Sequence, residues 1–177
     1  MTGIRSFTTS AANGSAAWTV ARAALLGAAT GGRTTAPLAS LAWAPPRIGP
    51  APLPAALRRL TGRDGRVLAT LALAGELTGD KLPQTPSRLA PPGLAGRLAF
   101  GAVGGLALAM RRTGRTTQEA AGTAEGVAAM AVGLASAAAG AYAGSRWRAS
   151  APFASDLPAA LLEDAVVATL ALAATRT

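Results

Sequence analysis

From Gly126 to Ser145 the chain runs for twenty residues without a charged side chain. As a helix that is enough to cross the ~30 Å hydrocarbon layer of a bilayer. Its bulky members are only Val127, Met130, Val132, Leu134 and Tyr142, and the rest is Ala, Gly and Ser. The whole chain shares this character: half of its 177 residues are apolar, 14% are charged and mean hydropathy is +0.33. That is too few charges for the shell of a water-soluble domain, where about 25% is usual, and too apolar for a disordered chain.

Cysteine and histidine are both absent. This removes disulfide frameworks, thiol nucleophiles, Cys/His zinc sites and any Ser/His or Cys/His catalytic pairing. No cofactor or metal is expected, and no enzyme activity: there is no phosphate-cradling glycine loop with its lysine, and the scattered carboxylates form no ligand spacing. The net charge is +9, and all of the bases but Lys81 are Arg. These bases lie between apolar stretches with few aromatics to stack on, so no nucleic-acid partner is expected. A lone lysine in an arginine-writing chain marks Lys81 as a place where a compact ammonium is wanted.

Four more stretches read as helices, each with ionisable groups: residues 7–30 carry Arg22, residues 67–81 carry Glu76 and Asp80, residues 94–110 carry Arg97, and residues 157–174 carry Glu163 and Asp164. The expectation is an all-α, polytopic membrane helix bundle of about five helices in one domain over residues 1–177. Its helices lie at about 4–30, 66–81, 94–110, 120–145 and 157–174, joined by Pro-rich connectors at 45–54 and 83–92 that cannot continue a helix. Alanine-rich spans insert weakly and must lean on one another. A seam of small residues, Gly122, Gly126, Gly133, Ala137, Gly140 and Gly144, offers close backbone approach, and Gly75/Gly79 and Gly101/Gly105 repeat the GxxxG spacing. Residues 34–44 are too short to span and fit a re-entrant or interfacial helix with Trp43 at headgroup level. The basic stretch from Arg33 to Arg66 is expected to contact anionic lipid, and the positive-inside rule puts it and the C-terminus in the cytoplasm.

Ionisable groups at membrane depth face a bundle interior or a wet cavity and mark function by default. If residues 67–80 are helical, Glu76 and Asp80 share a face, with Lys81, Arg88 or a base from another span to compensate them. Glu163 and Asp164 diverge by about 100° on a helix, so they point to different neighbours; Asp156 reads as an N-cap. Arg5 and Arg97 are the expected partners of Glu163 and Asp164. Their surroundings, Gly3-Ile4-Arg5-Ser6-Phe7 and Gly96-Arg97-Leu98-Ala99-Phe100, suggest a weak two-half repeat, with Asn13-Gly14 as a break in the first helix. The plainer alternative to a solute site is an ion-pair lock that holds helices together.

The fragments GIRSF, AGELTGDKLPQTPSR, GLAGRLAFGA and LLEDAVV resemble the small bacterial multi-spanning proteins grouped as domain of unknown function 4126. The resemblance implies an integral membrane protein with Arg5, Glu76, Asp80, Lys81, Pro83, Glu163 and Asp164 at recurring polar positions, and implies no activity. Two function classes follow. One is a small inner-membrane transporter or channel for an ion or small solute that uses Glu76 and Asp80. The other is a non-catalytic accessory subunit that packs on a copy of itself or a larger membrane partner.

Overall fold

The computed structural model describes residues 4–45, 53–79, 89–150, 152 and 156–176, with side chains from Ala16 onward except that of Asp156. These residues form eight helices: α1 (Ile4–Gly32), α2 (Ala36–Ala42), α3 (Ala55–Thr61), α4 (Arg63–Gly79), α5 (Pro91–Thr113), α6 (Thr117–Ala121), α7 (Ala124–Ser150) and α8 (Asp156–Arg176). The expected count of about five is therefore replaced by eight among the described residues, three of them of seven residues or fewer. Among the described residues three helices are long and apolar enough to cross a membrane: Pro91–Thr113, Ala124–Ser150 and Leu157–Arg176. The two halves do not match as elements. Residues 4–79 give a long helix, two short ones and a 17-residue helix, whereas residues 91–176 give three long helices around a five-residue one.

Local sequence explains the boundaries. Pro91 and Pro92 open α5 in its first turn, where no N–H is missed, and Gly114 closes it at φ 71°, a left-handed conformation suited to glycine. Helix α6 carries a capping box: the Thr116 hydroxyl accepts from the Glu119 N–H, and the Thr116 N–H donates to Glu119 Oε2 at 2.9 Å. Those bonds from the Thr116 backbone and side chain hold the Glu119 carboxyl below its usual range. Helix α1 runs unbroken through Asn13-Gly14, which corrects the expected break there; a single helical glycine costs only about 1 kcal/mol.

Helices α1, α5 and α7 pack through backbone. A Cβ added at Gly101 of α5 would stand 2.6 Å from the Gly133 carbonyl oxygen of α7 and 2.7 Å from the Ala137 Cβ, and one at Gly140 would overlap Ala28 of α1. The expected seam is thus used at Gly133, Ala137 and Gly140. Gly126 packs under α6, Gly122 ends α6, and Gly144 lines a cavity beside α8. Gly101/Gly105 is a true interface, while a Cβ added at Gly75 or Gly79 would have open space around it.

The apolar residues are sorted by size. Most of the buried ones are alanine, whereas Val67, Leu68, Leu71, Val127, Leu161 and Val166 stand at least half exposed on the outside. Large apolar side chains pointing outward from a small-residue interior suit a lipid surround. Charge pairs mark the bundle's length. Arg112 of α5 pairs with Glu125 at the start of α7, and Arg148 stands 23 residues further along α7, about 35 Å away at 1.5 Å per residue.

Two outcomes follow. Gly133→Val should lower stability in detergent by about 1–3 kcal/mol through overpacking, while Gly75→Ala should leave it unchanged or raise it slightly, as read by thermal unfolding. The depressed Glu119 carboxyl stabilises α6 above the unfolded value of about 4.3, and that contribution is lost as pH falls through the folded value. Amide protection around Ala120–Gly122 should therefore drop on acidification below about pH 4, earlier than that of α7.

Candidate functional site: a charged turn inside the bundle

The sequence Gly31-Gly32-Arg33-Thr34-Thr35-Ala36-Pro37 stops one helix and starts another. Helix α1 ends at Gly32, where its last carbonyls have no partner within the helix. Three residues later α2 begins with Thr35 before it and Pro37 in its first turn. Gly31 lets the end of α1 lie against α7, since a Cβ there would stand 2.6 Å from the Gly140 carbonyl carbon. That level on α7 is about 12 Å short of Arg148 along the helix, so the turn lies short of the end of α7.

From the turn α2 runs antiparallel to α4. Its start meets Glu76 near the end of α4, and its last carbonyl, Ala42, accepts from Arg66 near the start at 3.1 Å. Just beyond, the Pro45 carbonyl accepts from Arg111 at the far end of α5 at 2.9 Å. The chain thus turns at residues 33–35 and runs back along α4 towards the Arg111 end of α5. Trp43 is 61% exposed, with Arg66 5.1 Å over its ring and Thr70 accepting from its indole N–H at 3.1 Å.

Each open helix end is met by a side chain of opposite sign. Arg97, buried near the start of α5, donates from Nη1 to the carbonyls of Gly31 at 2.9 Å and Thr30 at 3.3 Å, a cation on a helix C-terminus. Glu76 accepts from the backbone N–H of Thr34 and of Thr35, both at 2.7 Å, and from the Thr35 hydroxyl at 2.6 Å. The two capping side chains also meet, Arg97 Nη2 lying 3.9 Å from Glu76 Oε1. Between the ends Arg33 is 1% exposed, and its Nε and Nη2 both reach Asp164 Oδ1 of α8 at 2.7 Å. One residue earlier, Glu163 turns to α7, with Arg148 Nη1 3.8 Å from its Oε2.

The structure therefore brings Glu76, Arg97, Glu163 and Asp164 to the same end of α1, with Arg97 as the base from another span that meets Glu76. Arg97 serves Glu76 and the end of α1, not Glu163 or Asp164, because α5 runs alongside the turn while α8 presents its acids to Arg33 and to α7. Arg5 lies in α1 with its side chain outside the described residues, and Asp80, Lys81 and Arg88 lie outside them altogether. Arg33, Thr34, Thr35 and Arg148 belong to the site and were missed. Arg33 was expected at the start of a lipid-facing basic loop, and its burial against Asp164 corrects that. The signal available was the Gly-Gly stop followed by Thr-Thr-Ala-Pro, a helix end abutting a helix start.

Two cavities flank α8. One of about 510 Å³ lies between α1, α7 and α8 and touches Glu163 and Trp147; the other, of about 470 Å³, lies between α2, α4 and α8 and touches Arg33 and Asp164. Apart from these groups and Ser40, Trp43 and Thr70, their walls are Ala, Gly, Val and Leu. Among the described residues no three acids converge to hold a metal ion. The arrangement can neutralise, brace and cap.

No family profile matches the chain, nor does any curated protein or solved structure, so the resemblance to domain of unknown function 4126 rests on the quoted fragments alone.

A double-mutant cycle tests the Arg33–Asp164 pair. Arg33→Met alone should cost about 3–5 kcal/mol by stranding the acid, whereas adding Asp164→Leu should recover a large part of that loss in thermal or steric-trap unfolding. Additive losses would show that the two side chains act independently.

Proposed function

We propose that the chain is a multi-pass protein of a bacterial inner membrane that works as a non-catalytic accessory or scaffolding subunit, with the charged turn as its internal lock. The observation that carries this reading is the pairing of the acids around the turn: Glu76 with Arg97, Glu163 with Arg148 and Asp164 with Arg33. A carboxylate that handles a travelling cation keeps lone pairs directed at the path. Both oxygens of Glu76 are instead taken by Thr34 and Thr35, and the cavities next to the other two acids are apolar. In hydrocarbon such groups hold a re-entrant hairpin in place and leave recognition to the outer faces.

A transporter or channel for an ion or small solute, using Glu76 and Asp80, is the second reading. It is favoured by the helix discontinuity itself, because half-helix ends facing each other inside a bundle are how many transporters build a solute site. The family resemblance stands beside both readings as a proposal and adds no activity to either.

One pair of measurements separates them. A photo-crosslinker at Leu161, exposed on α8, should trap one partner at fixed stoichiometry in native membranes; self-contacts alone would remove the heteromeric subunit. Liposomes carrying the purified protein should show no ion flux above empty ones. Flux that Glu76→Gln abolishes would establish transport instead.

A further inference from the structure

We propose that the corner between α3 and α4 is a binding site for an anionic phospholipid, with Arg59 and Arg63 on its phosphate and one acyl chain in the groove beside α4. The corner is tight. Gly62 joins the two helices in extended conformation, its N–H donating to the Arg58 carbonyl at 3.0 Å while its own carbonyl accepts from Arg66 at 3.0 Å. Gly65 lets α4 lean on the end of α3, since a Cβ there would stand 2.7 Å from the Leu60 carbonyl carbon. Arg58 and Arg59 from the last turn of α3 and Arg63 from the first of α4 are thereby gathered at one exposed edge.

Behind that edge lies a cavity of about 710 Å³. Arg59, Arg63 and Asp64 line it at the corner, and Leu38, Leu60, Leu68 and Ala72 line the rest. Its outer rim continues along α4 as Val67, Leu68 and Leu71, each at least half exposed. Among the described residues Arg58, Arg59 and Arg63 form no ion pair, and Asp64 is the one acid beside them. This charge excess contrasts with the one-to-one pairing around the turn and calls for an anion from outside.

Depth selects a lipid as its source. Leu57 of α3 belongs to the same buried cluster as Leu106, Leu108 and Met110 of α5, and the chain after α2 meets Arg66 through Ala42 and Arg111 through Pro45, so the start of α4 lies towards the end of the span Pro91–Thr113. Trp43 and Arg66 lie next to it in the pairing favoured at headgroup level. A free phosphate would use the arginines and leave the apolar groove empty, whereas a phospholipid fills both. The excess of arginine favours an anionic headgroup over a zwitterionic one.

The site rests on the membrane reading above but not on the accessory role. To test it, the full-length protein in detergent micelles is titrated with dioleoyl phosphatidylglycerol, dioleoyl phosphatidylcholine or inorganic phosphate, and bound lipid is counted by native mass spectrometry. Phosphatidylglycerol should be retained about tenfold more strongly than phosphatidylcholine and should not be displaced by phosphate. Arg59→Gln and Arg63→Gln should each weaken it by about fivefold, while Arg146→Gln, also exposed but on α7, should leave it unchanged. Both target side chains are exposed, so these variants keep the fold. Equal retention of the two lipids, displacement by phosphate, or wild-type binding by the double variant would overturn the site. A chain that stayed dissolved without detergent would overturn the membrane reading with it.

Discussion

Ending one helix and starting another inside an apolar bundle leaves carbonyls and N–H groups without partners, and hydrocarbon supplies no water to take their place. Each such group costs several kcal/mol if left bare. The turn at Arg33-Thr34-Thr35 is tolerable only because Arg97 reaches the end of α1 and Glu76 the start of α2. Those two side chains fix the axial position of α5 and α4 against the hairpin. The turn's own charge then requires a third helix: a buried Arg33 needs an acid, and α8 provides Asp164. Three helices, α4, α5 and α8, are held in register by the turn between α1 and α2.

This arrangement works only at short range, and the small residues provide the range. With Gly101 against Gly133 and Gly140 against Ala28, the three central helices approach until backbone touches backbone, and Arg97 lies alongside the end of α1 instead of across a layer of leucines. The interior has few large side chains to contribute dispersion energy, so close axes and paired charges do the work that leucine and phenylalanine do in a soluble core. The larger apolar residues are displaced to the outside.

Much of this was legible from the sequence, and the exceptions have physical causes. Long helices are readable because a bilayer demands long apolar runs, and the acids at 76, 163 and 164 stood out because charge is costly there. Their partners did not, since which helix lies beside which is a property of three-dimensional packing that no spacing encodes. Arg33 looks like any loop arginine by composition; only the Gly-Gly stop and the Thr-Thr-Ala-Pro start around it tell of a turn with a buried middle. Gly101/Gly105 and Gly75/Gly79 are the same motif, one pressed against α7 and the other with room for an added Cβ, because GxxxG permits close approach without supplying a neighbouring helix. Asn13-Gly14 failed as a break for a related reason: glycine lowers helix propensity but does not remove a hydrogen bond as proline does.

The described charges fall into two populations that obey different rules. Around the turn, three arginines face three carboxylates, as must hold where an unbalanced charge would sit in a medium of low dielectric. At the α3–α4 corner, Arg58, Arg59, Arg63 and Arg66 stand with Asp64 alone, an imbalance that an exposed edge sustains because solvent screens it. Unbalanced charge is still available to a ligand. The described acids that stand out in the sequence, Glu76, Glu163 and Asp164, are thus each met by an arginine within the fold, whereas Arg59 and Arg63 stand exposed at the rim of the bundle.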